Sequence, residues 1–337
     1  MAYTAIDDPT LYFSATLYTG DGANDRAVTV AGTGMQPDMV WIKSRSVVEG
    51  HVLGDAVRGV NRKLVPNDTD SESSGSSYTN ISTITSTGFT LSATGGGVDD
   101  AVNKDTATYV AWCWKETATA GFDIVSFEGT GSAHTEAHSL SAKPLVVIAK
   151  NRERTADWLV YHAGMDATGD YTLFLHSTSA KDNTQNYWGD TEATTSNFSV
   201  GTRLENNYSG EDIIAYAFAP KQGYSKFGSY TGNGNVDGPF IHLGFRPALF
   251  ICKKYSGTES WYINDNKRST YNPTEAELYA DTNQAEDTSN TRIDLLSNGV
   301  KMRTTNGGYN TSGETYIFMA FAEAPFVNSN GVPCNAR

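Results

Sequence analysis

Two histidines four residues apart, His134 and His138, form the first pattern with chemical meaning. On a helix that spacing puts both imidazoles on one face, where they could ligate zinc. No glutamate fills the slot that a zinc-protease helix needs, and the stretch aligns with strand-and-turn sequence elsewhere, so a polar turn is expected. Asp99, Asp100, Asn103 and Asp105 fall close together, as do Asp21 and Asp25. Oxygen ligands of this kind could hold calcium, but the spacing is not that of an EF-hand loop, and a solvated loop is the expectation. No nucleophile elbow or phosphate-binding loop is present. The glycine strings Gly95-Gly96-Gly97 and Gly307-Gly308 lack a following helix. Aromatics in polar surroundings remain: Tyr78, Tyr187, Trp188, Tyr271, Tyr279 and Tyr309. An exposed Tyr or Trp can stack on a sugar ring or anchor an interface. Tyr187 and Trp188 are the sharpest candidates for surface contact; the competing reading makes them strand residues that cover a sheet edge. No catalytic, cofactor or metal residue is nominated, and no cofactor is expected.

The elements that would position these residues are β-strands. The chain has 337 residues, with 32 Gly, 10 Pro and only 19% charged residues, a turn-rich and β-rich composition. A net charge of −13 argues against phosphate backbones and anionic membranes as partners. No apolar run is long enough to span a membrane as a helix. The opening residues have neither the basic nor the apolar part of a secretory signal. Cys113, Cys252 and Cys334 are too few and too far apart for a disulfide framework or zinc motif, which suggests folding in a reducing cytoplasm.

The chain also repeats itself. Aromatic residues Tyr18, Phe127 and Tyr230 each precede a turn, namely Thr19-Gly20-Asp21-Gly22, Glu128-Gly129-Thr130-Gly131 and Thr231-Gly232-Asn233-Gly234. Pro37, Pro144 and Pro247 open apolar runs that close on Lys43, Lys150 and Lys253, at intervals of 107 and 103. Further runs begin at His51, Trp158 and Trp261 with the same intervals. Each unit ends in an apolar strand finishing at Trp114, Phe218 or Phe321. The reading is a lead segment 1–10, three homologous units at 11–118, 119–221 and 222–326, and a tail 327–337. Each unit is long enough to hold its own core.

In the runs before the three lysines both strand faces are apolar, which marks a central strand between two layers. In the terminal strands large residues alternate with small ones, and Cys113 and Cys252 take small core slots. Gly88-Phe89-Thr90-Leu91 and Asn197-Phe198-Ser199-Val200 read as shorter strands; Asn272 to Leu278 could open one short helix. The expected fold is all-β, with three tandem antiparallel β-sandwiches, jelly-roll-like in kind.

Ile6-Asp7-Asp8-Pro9, Leu11-Tyr12-Phe13, Gln36-Pro37-Asp38, Val40-Trp41-Ile42-Lys43-Ser44-Arg45, Asp55-Ala56-Val57-Arg58-Gly59 and Tyr109-Val110-Ala111-Trp112-Cys113-Trp114-Lys115 resemble a β domain of virion proteins from tailed bacteriophages, especially marine ones. The first unit carries the resemblance, and the other two look like divergent copies. The resemblance implies a virion structural protein and not an enzyme: a tail-fibre, receptor-binding or tail-tip component, alternatively a capsid or tail decoration protein. A carbohydrate-binding or polysaccharide-depolymerising protein is the alternative from another class. The implied partners are other virion proteins, further copies of the chain, and a host-surface glycan or receptor. Nucleic acid and membrane are not among them. Release would be by lysis. Three copies in one chain could also mimic a trimer at a three-fold position, in which case the units should form a ring rather than a string.

Overall fold

The computed structural model describes residues 3–74, 80–92 and 99–334; Tyr78 and Gly95-Gly96-Gly97 lie outside them. The protein is all-β, built of antiparallel sheets. Residues 11–118 form a four-stranded sheet in the order Phe13–Thr19, Thr108–Trp114, Met39–Ser44, Val52–Asp55. Residues 119–221 repeat that order with Phe122–Glu128, Asp212–Phe218, Val146–Asn151 and Leu159–His162, then add Leu173–Phe174 at the edge. Residues 222–326 do the same with Ser225–Thr231, Thr315–Pro325, Phe245–Lys254, Trp261–Asp265 and Leu278–Tyr279. The strand that ends each segment therefore pairs with the one that begins it. A smaller sheet or hairpin accompanies each large sheet, such as Arg26–Thr29, Gly88–Ser92 and Asn80–Thr85 in the first segment.

The apolar alternation of the central strands has a direct consequence. Met39 and Trp41 point to one face, Val40 and Ile42 to the other, and all are buried. Val40 and Ile42 pack with Phe89, Leu91, Tyr109 and Cys113 in a core private to the first segment. Val147 and Ala149 do the same with Tyr161, Phe198 and Val200 in the second. The opposite faces of all three large sheets meet. Trp41, Trp112 and Trp114 from the first segment, Trp158, Tyr216 and Phe218 from the second, and Ile251, Trp261 and Met319 from the third belong to one continuous core. Trp112, Trp114, Tyr216 and Phe218 of the terminal strands face this shared centre, while Tyr109, Ala111, Cys113, Ala215 and Ala217 face the private cores. Each large side chain so buried contributes roughly 1.5–3 kcal/mol.

The repeated glycine turns are held from below. Gly22, Gly131 and Gly234 have positive φ, and a Cβ at Gly20, Gly129 or Gly232 would run into the carbonyl of Lys104, Tyr208 or Thr311. Those carbonyls follow three short helical turns, Asp100–Asn103, Leu204–Asn207 and Gly307–Asn310. The asparagine that ends each is fully buried and bonds the turn. Asn310 accepts from Asn233 N at 2.8 Å and donates to Asn235 O at 2.7 Å and Thr304 O at 2.9 Å.

The helix expected near Asn272 does not form. Ser269 Oγ accepts from Glu275 N and Ala276 N, and Thr274 N donates to Ile293 O, so the amides a helix would use are bonded elsewhere. Among the described residues no helix is long and apolar enough to cross a membrane.

Candidate functional site

Tyr187 and Trp188 do not offer a surface. They are 4% and 2% exposed and belong to the private core of the second segment. Trp188 Nε1 donates to Thr172 Oγ1 at 3.2 Å and Tyr187 OH to Asp182 Oδ2 at 2.5 Å, so the polar ends of both rings are satisfied inside the fold. Tyr309 is also fully buried, while Tyr271 is 83% exposed. His134 lies on the strand His134–Ala137 rather than in a turn; its Nε2 meets Glu136 Oε1 at 2.9 Å, and His138 Nε2 meets Thr194 O at 3.3 Å. Asp99 caps a helical turn through Ala101 N and pairs with Lys63, Asp100 pairs with Lys104, and Asp21 pairs with Arg26. Asp21 and Asp100 keep 39% and 45% of their side chains exposed, so these pairs lie at the surface. Among the described residues no three His, Cys, Asp or Glu side chains gather as a metal site. Cys113 and Cys252 are buried, and burial pushes both thiols up.

The polar residues that do converge lie where one segment meets the next. Asp55 Oδ2 accepts from Arg58 Nε at 2.5 Å and, across the junction, from Tyr216 OH at 2.7 Å. Asp265 Oδ2 accepts from Arg268 Nε at 2.5 Å and from Trp112 Nε1 at 3.0 Å. Trp112 and Tyr216 are equivalent strand positions, so the first segment reaches the third as the second reaches the first. Beyond each pair lies a carboxylate that bridges arginines of the two segments; Glu72 also meets Arg62 at 2.9 Å. Glu72 meets Arg58 at 2.9 Å and Arg152 at 3.0 Å, and Glu286 meets Arg268 at 3.1 Å and Arg45 at 2.7 Å.

The junction of second and third segments keeps the geometry and changes the chemistry. His162 stands where the other segments have Asp55 and Asp265, Met165 where they have Arg58 and Arg268, and Met319 where they have Trp112 and Tyr216. His162 Nε2 meets Phe318 O at 3.1 Å. Lys181 and Tyr255 replace the outer Glu–Arg pair, with Lys181 Nζ 3.8 Å from the Tyr171 ring centroid and 5.6 Å from that of Tyr255. Each pair of segments thus shares a junction, and the three close into a ring.

The residues at the head of the repeated runs point the same way round. His51 Nε2 meets Tyr279 O at 2.9 Å, Trp158 Nε1 donates to Val65 O at 3.0 Å, and Trp261 Nε1 donates to Phe174 O at 2.9 Å. Lys43, Lys150 and Lys253 are fully buried. Each Nζ donates to the carbonyl of the following residue; Lys150 also reaches Thr69 O at 3.2 Å and Lys253 Thr178 O at 3.1 Å, both in a neighbouring segment. Burial pushes all three amines down to about 8, against the pull of nearby carboxylates such as Glu49, Asp157 and Asp281. His51 and His162 are held neutral, pushed by burial down to about 3 and about 4.

Above the junction of first and third segments lies a groove of ≈ 290 Å³ between Arg45, Glu286 and the loop carrying Tyr271. A family model described as a domain of unknown function (DUF7483) matches residues 8–325, through all three segments. The chain belongs to the DUF7483 family. A search of curated proteins finds no match. In this DUF7483 chain the Asp-x-x-Arg pattern at Asp55–Arg58 recurs at Asp265–Arg268, and the spacing of 210 between them is the signal by which the junction residues could have been found in sequence.

Proposed function

We propose that this DUF7483 chain is a non-enzymatic structural protein of a tailed-phage virion: three homologous sandwich units in one chain that act together as a pseudo-trimer. The observation that carries the reading is the cyclic set of junctions. The aspartates, arginines, histidines and lysines with most chemical potential are buried in bonds that hold segment to segment, and the outer loops are left to present surfaces. The sequence resemblance points to a tail-fibre or receptor-binding component, with other virion proteins and a host-surface receptor as partners. Ring closure also favours a second placement, as a decoration protein at a three-fold position, because a closed pseudo-trimer matches three-fold surroundings without needing three chains.

Mass spectrometry of gradient-purified particles from the encoding phage tests the proposal. The chain is expected in constant ratio to the major structural proteins; its absence from clean particles refutes the reading. Electron cryo-microscopy of those particles separates tail from capsid.

A further inference from the structure

The pseudo-symmetry of the ring acts as an internal control. Features shared by the junctions serve closure, and a feature at one junction alone calls for another cause. The loop bearing Tyr271 is the longest of the three at this position, and it alone carries an exposed aromatic ring. In the first segment nine residues take the chain from Asp55 to Leu64, which bridges Leu53. In the second, eleven take it from His162 to Leu173, which pairs with the equivalent Val160, and in the third, thirteen take it from Asp265 to Leu278, which pairs with the equivalent Ile263. The extra length does not serve the ring, since Asp265 and Arg268 make the same bonds as Asp55 and Arg58.

The loop is firmly held nonetheless. Asn272 donates to Leu295 O and accepts from Leu295 N, both at 2.9 Å, and Ser269 Oγ accepts from two loop amides. At its crest Tyr271 stands 83% exposed, an aromatic position that packing does not explain. The groove of ≈ 290 Å³ runs beside it, with Glu275, Thr288 and the partly exposed Arg45 on its walls. An exposed aromatic face on a firmly held loop, beside planar carboxylate, guanidinium and amide groups, matches a saccharide, whose ring stacks by its C–H face while its hydroxyls bond in pairs. Charge selects among saccharides. Arg268 is neutralised by Asp265 and Arg45 by Glu286, Glu275 adds a negative charge, and the chain carries −13, so phosphorylated or acidic ligands are disfavoured.

We infer that the Tyr271 groove binds a neutral saccharide. This rests on the surface-presenting reading above and gives it a ligand class. The test uses the full chain on an array of neutral oligosaccharides, with free neutral monosaccharides as competitors. Tyr271→Ala should weaken binding about tenfold, Tyr271→Phe should keep it, and the melting temperature of both should match the parent. Weak competition by monosaccharides would assign the ligand to a surface glycan, and strong competition to a free sugar; both support the site. Binding to no neutral saccharide, or undiminished binding by Tyr271→Ala, overturns it. A chain present in particles that binds no sugar sinks this inference alone. Sugar binding by a chain absent from particles sinks only the virion reading.

Discussion

Tyr216→Phe removes one oxygen and leaves the packed ring in place, so it isolates a single bond between segments. The Tyr216 hydroxyl donates to Asp55 Oδ2 at 2.7 Å, and both residues are 1% exposed. A hydrogen bond to a charged group contributes about 1.5–3 kcal/mol. Asp55 keeps two other donors, Arg58 N at 2.8 Å and Arg58 Nε at 2.5 Å, so its carboxylate stays satisfied and the loss should be about 2 kcal/mol. Asp55→Ala is a different case. It strands the tyrosine hydroxyl and deprives the buried Arg58 of one of its two carboxylates, which should cost about 3–5 kcal/mol. Once Asp55 is gone Tyr216→Phe should cost little, so the double-mutant cycle should show a coupling of about 2 kcal/mol. Equilibrium urea unfolding, followed by tryptophan fluorescence and far-ultraviolet circular dichroism, measures all four variants. Because the shared core joins the segments, both probes should report one coincident transition. A coupling below about 0.5 kcal/mol would refute the view that this bond carries the junction. Trp112→Phe with Asp265→Ala should repeat the result at the junction of first and third segments.

Trp188→Ala should destabilise the chain by about 3–5 kcal/mol in the same assay, since it empties a core site; a change within about 0.5 kcal/mol would return Trp188 to the surface. Below pH 6.5 the unfolded chain protonates His51 and His162 while the fold keeps them neutral to about 3 and about 4, so stability contributed by the two is lost as pH falls through that window. Glu116, pushed by burial up to about 7, acts in the opposite direction above the ordinary glutamate range, so the comparison must be with a variant. The His51→Gln/His162→Gln chain should show a shallower pH dependence between pH 4.5 and 6, by about 2.7 kcal/mol per pH unit, and equal slopes would count against neutral imidazoles. Residues 119–221 produced alone would expose Ile148, Trp158, Tyr216 and Phe218 together, so light scattering should find them self-associated. A stable monomer would show that the shared core is dispensable.

Particular residues explain what could be read from the sequence. The sheet strands were legible because Val40, Trp41 and Ile42 are apolar on consecutive positions, and only a strand covered on both sides makes that pattern. Spacing alone gave the register of the repeat. What covers the second face was not legible, because Trp112 and Trp114 look the same to a pattern whether they face a private core or a shared one. The junction pairs were hidden for a different reason: Asp55 and Tyr216 are 161 positions apart. Tyr187 and Trp188 misled because their neighbours Asn186 and Asp190 are polar, and local composition does not reveal that Thr172 and Asp182 come across to bond the rings. The Asn272 loop misled in the reverse direction, with helix-favouring residues whose amides are taken by Ser269 and Ile293.

The unequal junctions bear on how such a ring could be used. Two hold a buried arginine between an aspartate and a glutamate, a geometry that tolerates little displacement because any shift leaves a charge unpaired at low dielectric. The third has the half-buried Met165 and the buried Met319 at those positions and a lysine over aromatic rings outside, contacts that survive small movements. Three identical junctions would make the three outer faces interchangeable, and a partner could then engage the ring in three orientations. Divergence removes that degeneracy. The long loop with Tyr271 sits over one stiff junction, fixed in direction relative to the more adaptable one, so a partner that recognises either would engage the body in a single orientation.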